Sequence, residues 1–207
     1  MVQDMAFLPV EVVLISFILE KYLHRREKQE KFKKIQVVIS SFYTDIGSAL
    51  IQNFLHFNTN FEILKEEFSL EEDLIHPGKE RLLNHVCDFD YAMDSRAGDL
   101  MSLKNFLISA KPHILRMFEN PNLLEHDQFT EMLWSVYHVL DELENRISFT
   151  ELPANDMNHL SIDIKRAYQL VIKEWVAYMI HVQKEYPYLY SLAKRKNPFS
   201  ENEIIFK

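Results

Sequence analysis

Glycine is scarce in this sequence: 3 residues in 207, with no Asn-Gly, Asp-Gly or Gly-Gly pair. Tight hairpin turns lean on such pairs, so an antiparallel β fold is disfavoured from the start. Cysteine is scarcer still. A single one, Cys87, rules out an intrachain disulfide and any zinc cluster built on several cysteines. No motif surrounds it, and an inert buried thiol is the expectation. The chain has no Gly-rich phosphate loop, no Gly-x-Ser-x-Gly and no His-Glu-x-x-His. It also lacks a basic excess. With 23 Lys and Arg against 31 Asp and Glu, the net charge is −8, which argues against a nucleic-acid partner.

What is present is helical rhythm. Four segments repeat apolar residues at alternating steps of three and four, which places them on one face of a helix. They are Phe32-Ile35-Ile39-Phe42-Ile46-Ala49, Leu82-Val86-Phe89-Met93-Arg96-Leu100-Leu103-Leu107, Phe129-Leu133-Val136-Leu140-Leu143-Ile147, and Leu160-Ile164-Ala167-Val171-Trp175-Tyr178-Val182. The expected fold is all-α: an antiparallel four-helix-bundle-like body with coiled-coil-type packing. The second stripe stays in register through Gly98, so it reads as one long helix. Ser69 with Glu72 fits a capping box, and His76-Pro77-Gly78 a turn. Pro112, Asn120-Pro121 and Leu152-Pro153 read as interruptions, with Asn155 or Asp156 as the next cap, and Pro187 ends the fourth helix. The aromatic tail after it is expected to cover the end of the body.

The N-terminus differs from the rest. Pro9 suits the first turn of a helix. Between Val10 and Leu19 only Glu11 and Ser16 are polar, and Val12, Val13, Leu14, Ile15, Phe17, Ile18 and Leu19 cover every side of a helix. A helix apolar all round is buried in protein or in lipid. Lys21, Arg25, Arg26, Lys28, Lys31, Lys33 and Lys34 follow without a break. The apolar run Met5–Leu19 falls short of the roughly 20 residues of a full span, yet the apolar-then-basic order is that of a membrane anchor with a cytoplasmic flank. The division expected is 1–31, a long projecting apolar helix with a basic flank and a possible membrane anchor, and 32–207, a helical body. The opposing reading is a buried helix or homo-oligomer seam, with Glu27-Lys31 and Glu30-Lys34 as surface ion pairs and the chain soluble in the cytoplasm.

Candidate chemistry is thin. His85 with Asp88, His138 with Glu142 and His159 with Asp163 have helical spacing. His138 and Glu142 lie opposite their stripe, on what reads as a solvated face. His159, Asp163, Arg166 and His181 share a half-buried flank of the fourth helix, so His159, Asp163 and His181 are the metal-ligand candidates. An ion-pair seam competes with that reading. No cofactor and no catalytic residue is expected. Arg96, in an apolar slot, looks for Asp163 or Glu174 or escapes beside Gly98. Trp134 and Tyr137 point off their stripe. They either pack beneath residues 58–77 or the tail, or offer a partner-binding patch.

The stretch HLSIDIKRAYQLVIKEWVAYMIHVQKEYPYLYSLAKRKNPF (159–199), with Leu8, Pro9 and Glu11 at the other end, resembles an uncharacterised family of bacterial all-helical proteins. The resemblance implies a bacterial, membrane-proximal setting and no activity. The functional expectation is a non-enzymatic interaction or scaffold module at the cytoplasmic membrane face, attached through Val12, Leu14, Ile15, Phe17, Ile18, Arg25 and Arg26. A metal- or ligand-binding helical bundle, with or without enzymatic activity, is the alternative.

Overall fold

The computed structural model describes residues 2–63, 79–124 and 126–199, the side chains of 2–11, 79–82 and 124 excepted. The expected features at Ser69, Glu72 and His76–Gly78, and the side chains of Pro9, Glu11 and Leu82, lie outside what is described. The chain is all-α. Among the described residues there is no strand, only an isolated bridge between Asn58 and Met93.

The chain divides into two units, Met1–Val37 and Val38–Lys207. Within the first runs most of α1 (Val2–Phe42). The helix begins at Val2 and passes through Pro9, so the proline does not mark its first turn. Phe32, expected to start the first core stripe, is 47% exposed.

The second unit is built around one long helix. After α1 come a π-helical turn (Tyr43–Gly47), α2 (Ser48–Leu55), α3 (Lys79–Asp88), α4 (Leu100–Phe118), α5 (Pro121–Leu124), α6 (Asp127–Glu144), α7 (Ala154–Glu185) and α8 (Pro187–Arg195). At 32 residues, α7 rises about 48 Å. All seven apolar residues read from its stripe are buried, and Tyr168, Ile172, Val176 and Met179 are buried beside them. This wide apolar surface is covered by α6, α3, α8, α2 and the π turn, while α4 packs on α6 and α2. Phe199, past α8, is buried edge-on against Trp175 at 5.2 Å and stacked near Phe61 at 6.3 Å, so the tail packs on the side of this helix rather than over the end of the body.

The π turn changes the first stripe. A π turn inserts one residue into the helical ladder. Ile39, Phe42 and Ile46 are buried as the spacing predicts, but the next buried positions are Leu50, Ile51 and Phe54, and Ala49 is only half-buried. The wider turn also buries Tyr43, whose hydroxyl donates to the Val171 carbonyl of α7 at 3.0 Å and whose ring stacks on Tyr178 at 5.1 Å.

The second stripe is not one helix. Residues 89–99 are irregular and separate α3 from α4. Polar groups hold this segment. Thr59 N–H donates to the Ala92 carbonyl at 2.8 Å, and Asp94 N–H to the Phe57 carbonyl at 2.9 Å. Buried Ser95 donates through its hydroxyl to Met157 O at 2.7 Å and through its N–H to Ser161 Oγ at 2.9 Å, tying the segment to α7. Asp99 then caps α4, accepting from the N–H groups of Met101 (2.9 Å) and Ser102 (3.1 Å). The sequence carried that signal in Gly98-Asp99 before an apolar run, and the continuing stripe masked it.

Three smaller boundaries also differ. Pro112 lies inside α4, exposed on its outer side, and the helix runs through it although the missing N–H removes one hydrogen bond of the ladder. Ile147 is 96% exposed, beyond the end of α6. Pro153, not Asn155 or Asp156, stands at the cap position of α7. Cys87 is exposed rather than buried.

Gly98 makes a direct test of the 89–99 packing. A Cβ there would sit 2.7–2.8 Å from the ring of buried Phe57. Gly98→Ala is therefore expected to lower stability by about 1–3 kcal/mol, as overpacking does, read from urea unfolding. Adding Phe57→Leu should recover part of the loss.

Candidate functional site

On the flank of α7 facing α6 sits a buried carboxylate. Asp163 is 4% exposed. Its Oδ2 has His159 Nδ1 at 3.0 Å, one turn earlier on α7, and His138 Nε2 at 3.5 Å, reaching across from α6. Neither contact is directed well enough to be a hydrogen bond, and Oδ2 is left without a donor. Oδ1 faces Arg166 Nη1 at 3.7 Å. Both imidazoles are about half exposed (46% and 55%), so the carboxylate lies at the bottom of the cluster and the rings at its rim. Glu142, one turn from His138, is held by Arg146 Nη1 at 2.7 Å. That guanidinium keeps the Glu142 carboxyl below its ordinary range, with His138 and His159 adding to the effect. Two acid–histidine pairs at i,i+4 spacing thus meet across the α6–α7 interface.

The structure separates the third metal-ligand candidate from the other two. His181 lies eighteen residues beyond Asp163 on the same helix, about 27 Å along its axis, and it packs near Tyr186 at 6.0 Å. Its burial lowers its pKa. Among the described residues, no group of three or more His, Cys, Asp or Glu stands as a metal-holding cage. The residue missed in place of His181 is His138, whose face was read as solvated. The signal for it was the matching His-x-x-x-acid spacing on both helices.

Other candidates resolve as follows. Arg96 meets neither Asp163 nor Glu174. It reaches out to Asp94 at 3.4 Å and to Asn158 Oδ1 at 3.3 Å. Trp134, 58% exposed, lies against Phe118 of α4 at 4.5 Å, with Tyr137 edge-on, and residues 64–77, expected to cover it, lie outside what is described. Val12, Leu14, Ile15, Phe17 and Ile18 are exposed on all sides of α1, with Tyr22 and Leu23 continuing the run. Among the described residues no helix is long and apolar enough to cross a membrane. In the basic flank, Arg26 pairs with Glu30 at 4.0 Å, one turn away.

The chain matches the family model described as the C-terminal helical domain of uncharacterized protein MJ1433, over residues 31–195. It belongs to that family. It is 40% identical over 205 residues to an uncharacterized protein of Methanocaldococcus jannaschii, covering 98% of this chain and 81% of the relative. The bacterial setting drawn from the resemblance is thus not supported, since this relative is archaeal. The similarity extends beyond the family match into the N-terminal helix. No solved structure matches.

A second buried acid is Glu174, named from the sequence only as a partner for Arg96. Glu174 lies among the apolar residues of α7, 4% exposed, and burial raises its pKa from 4.5 to about 7 despite the opposing charge of Lys173. The folded state therefore binds a proton between about pH 4.5 and 7 that the unfolded state has lost. Stability from this group is complete below the unfolded value and falls as pH rises towards 7. Glu174→Gln removes the effect. Its stability relative to the native sequence is expected to improve by about 2–3 kcal/mol between pH 5 and pH 8, measured by denaturant unfolding at both values.

Proposed function

We propose that this chain is a non-enzymatic attachment module whose N-terminal helix docks the helical body on an anionic membrane surface, with the body on the cytoplasmic side. The observation that supports this is the apolar sleeve. Val12, Val13, Leu14, Ile15, Phe17, Ile18, Leu19, Tyr22 and Leu23 are 51–68% exposed, on every side of α1. Covering them recovers of order 5–10 kcal/mol, at about 1 kcal/mol for each half-exposed side chain. Residues 21–34 add seven basic side chains against two acidic ones, in a chain of net charge −8. Each basic residue near anionic headgroups contributes about 1 kcal/mol, and salt screens that part but not the apolar part. Length favours partial insertion over crossing. The apolar run Met5–Leu19 rises about 22 Å, against a hydrocarbon core of about 30 Å.

The same sleeve fits a seam between several copies of the chain, and one experiment separates the two. Full-length protein is mixed with vesicles containing anionic phospholipid and sedimented in low and high salt. Retention in both, with loss of binding on removal of residues 1–19, is the expected result. Neutralising Arg25, Arg26, Lys28 and Lys31 together should weaken the low-salt binding. A full-length protein that ignores vesicles and forms a detergent-free oligomer, which dissociates when 1–19 are removed, overturns the membrane reading in favour of the seam.

A further inference from the structure

We propose that α4 docks against α4 of a second copy of this chain, antiparallel, about a two-fold axis at Ile108. The inference concerns the helical body and does not depend on membrane attachment by α1. α4 carries two apolar stripes. One, from Leu100 to Met117, is buried in the body. The other is Met101, Ile108 and Leu115, seven residues apart and 38–41% exposed on roughly the opposite side of the helix. Around this outer stripe Ser102, Asn105, Ser109 and Pro112 are exposed, and none carries charge. Lys104 and Lys111 are drawn aside onto α6, to the Glu144 carbonyl at 3.2 Å and the Glu144 carboxylate at 2.5 Å. In a chain with 26% charged residues, an exposed apolar face of about four turns without charge has the composition of an interface core.

Charges stand at the two ends of the stripe, and their signs select the occupant. Asp99 lies nine residues before Ile108 and Arg116 eight residues after it. A half-turn about Ile108 therefore sets Met101 of one copy level with Leu115 of the other. It also brings Arg116 to within about 1.5 Å of the height of Asp99. A parallel pair would set Arg116 beside Arg116 and Asp99 beside Asp99, which like charges disfavour. The two-fold arrangement uses the same patch on both copies, so every contact is made twice. Asp99 is exposed, and it accepts the N–H groups of Met101 and Ser102 through Oδ1 alone. It lines an open cleft of about 330 Å³ at the start of α4, together with Asn53, His56 and Ser102. The exposed guanidinium of Arg116 from the second copy fits this polar cleft and meets Asp99 there. Ser102 and Ser109 are small, so the two helices can approach closely between the charged ends. The stripe from Met101 to Leu115 is only about 21 Å long, which makes the pair a weak, exchanging one.

The test follows full-length protein by analytical ultracentrifugation across the micromolar range. Ile108→Glu should halve the sedimenting mass, and Arg116→Glu should weaken association about tenfold. Circular dichroism of both variants should match the native chain, because both side chains are exposed. Cross-linking then reads the register, with Cys87→Ser as background because Cys87 is itself exposed. Under mild oxidation Ile108→Cys should link to itself across the axis. Met101→Cys should not link to itself, but should link to Leu115→Cys when the two proteins are mixed. A mass unchanged by Ile108→Glu, or Met101→Cys linking to itself as readily as Ile108→Cys does, overturns the proposal. So does an oligomer that is lost only when residues 1–19 are removed, since that one belongs to the N-terminal sleeve.

Discussion

The body of this protein rests on the burial of α7. Two rows of its side chains, Leu160 to Val182 and Tyr168 to Met179, are withdrawn from water together. A helix apolar over so much of its circumference is unstable alone, and it takes its stability from what is laid against it. That requirement explains the surrounding order. α6, α3, α8, α2 and the π turn all pack on it. Where regular helix leaves a gap, irregular structure fills it. Ser95 brings residues 89–99 onto the first turns of α7, and Phe199 brings the tail onto Trp175.

The same burial gives α7 its two unusual acids. Asp163 and Glu174 are eleven residues apart on a helix otherwise withdrawn into apolar contact. Their surroundings treat them differently. Asp163 lies where α6 supplies one imidazole, His138, and α7 its own His159 and Arg166, so its charge has nearby company. Glu174 has Tyr43 and Tyr178 near it and only Lys173 to favour its charged form, so desolvation dominates and raises its pKa. One helix thus carries a carboxylate set among basic groups and another that carries its proton near neutrality.

Much of this was legible in the sequence and some was not. The α7 stripe was read correctly at every position, because one period runs through it without interruption. The all-α class followed from the same rhythm and from the missing hairpin pairs. The second stripe misled because register can continue by coincidence across a break. Met93 and Arg96 fell at helical spacing while Ser95, Gly98 and Asp99 were stopping the helix. The π turn was invisible, since one added residue leaves no compositional mark. For the candidate site, His159 with Asp163 was legible as a pair on one helix. Its partner His138 was not, because the ring is exposed on its own helix, as read, and its approach to Asp163 depends on how the two helices cross.

The π turn at Tyr43–Gly47 also sets a rule for the length of the chain. A residue added to a regular helix would advance everything after it by about 100° around the axis, and the wider π turn absorbs that advance, so Leu50, Ile51 and Phe54 still face the core. The segments before and after the turn are thereby kept in phase. Loss of one residue from 43–47 would give an unbroken α-helix with α2 still facing the core, whereas regular α-helix through all five residues would turn its apolar side away. In this stretch the number of residues carries structural information that their identities do not.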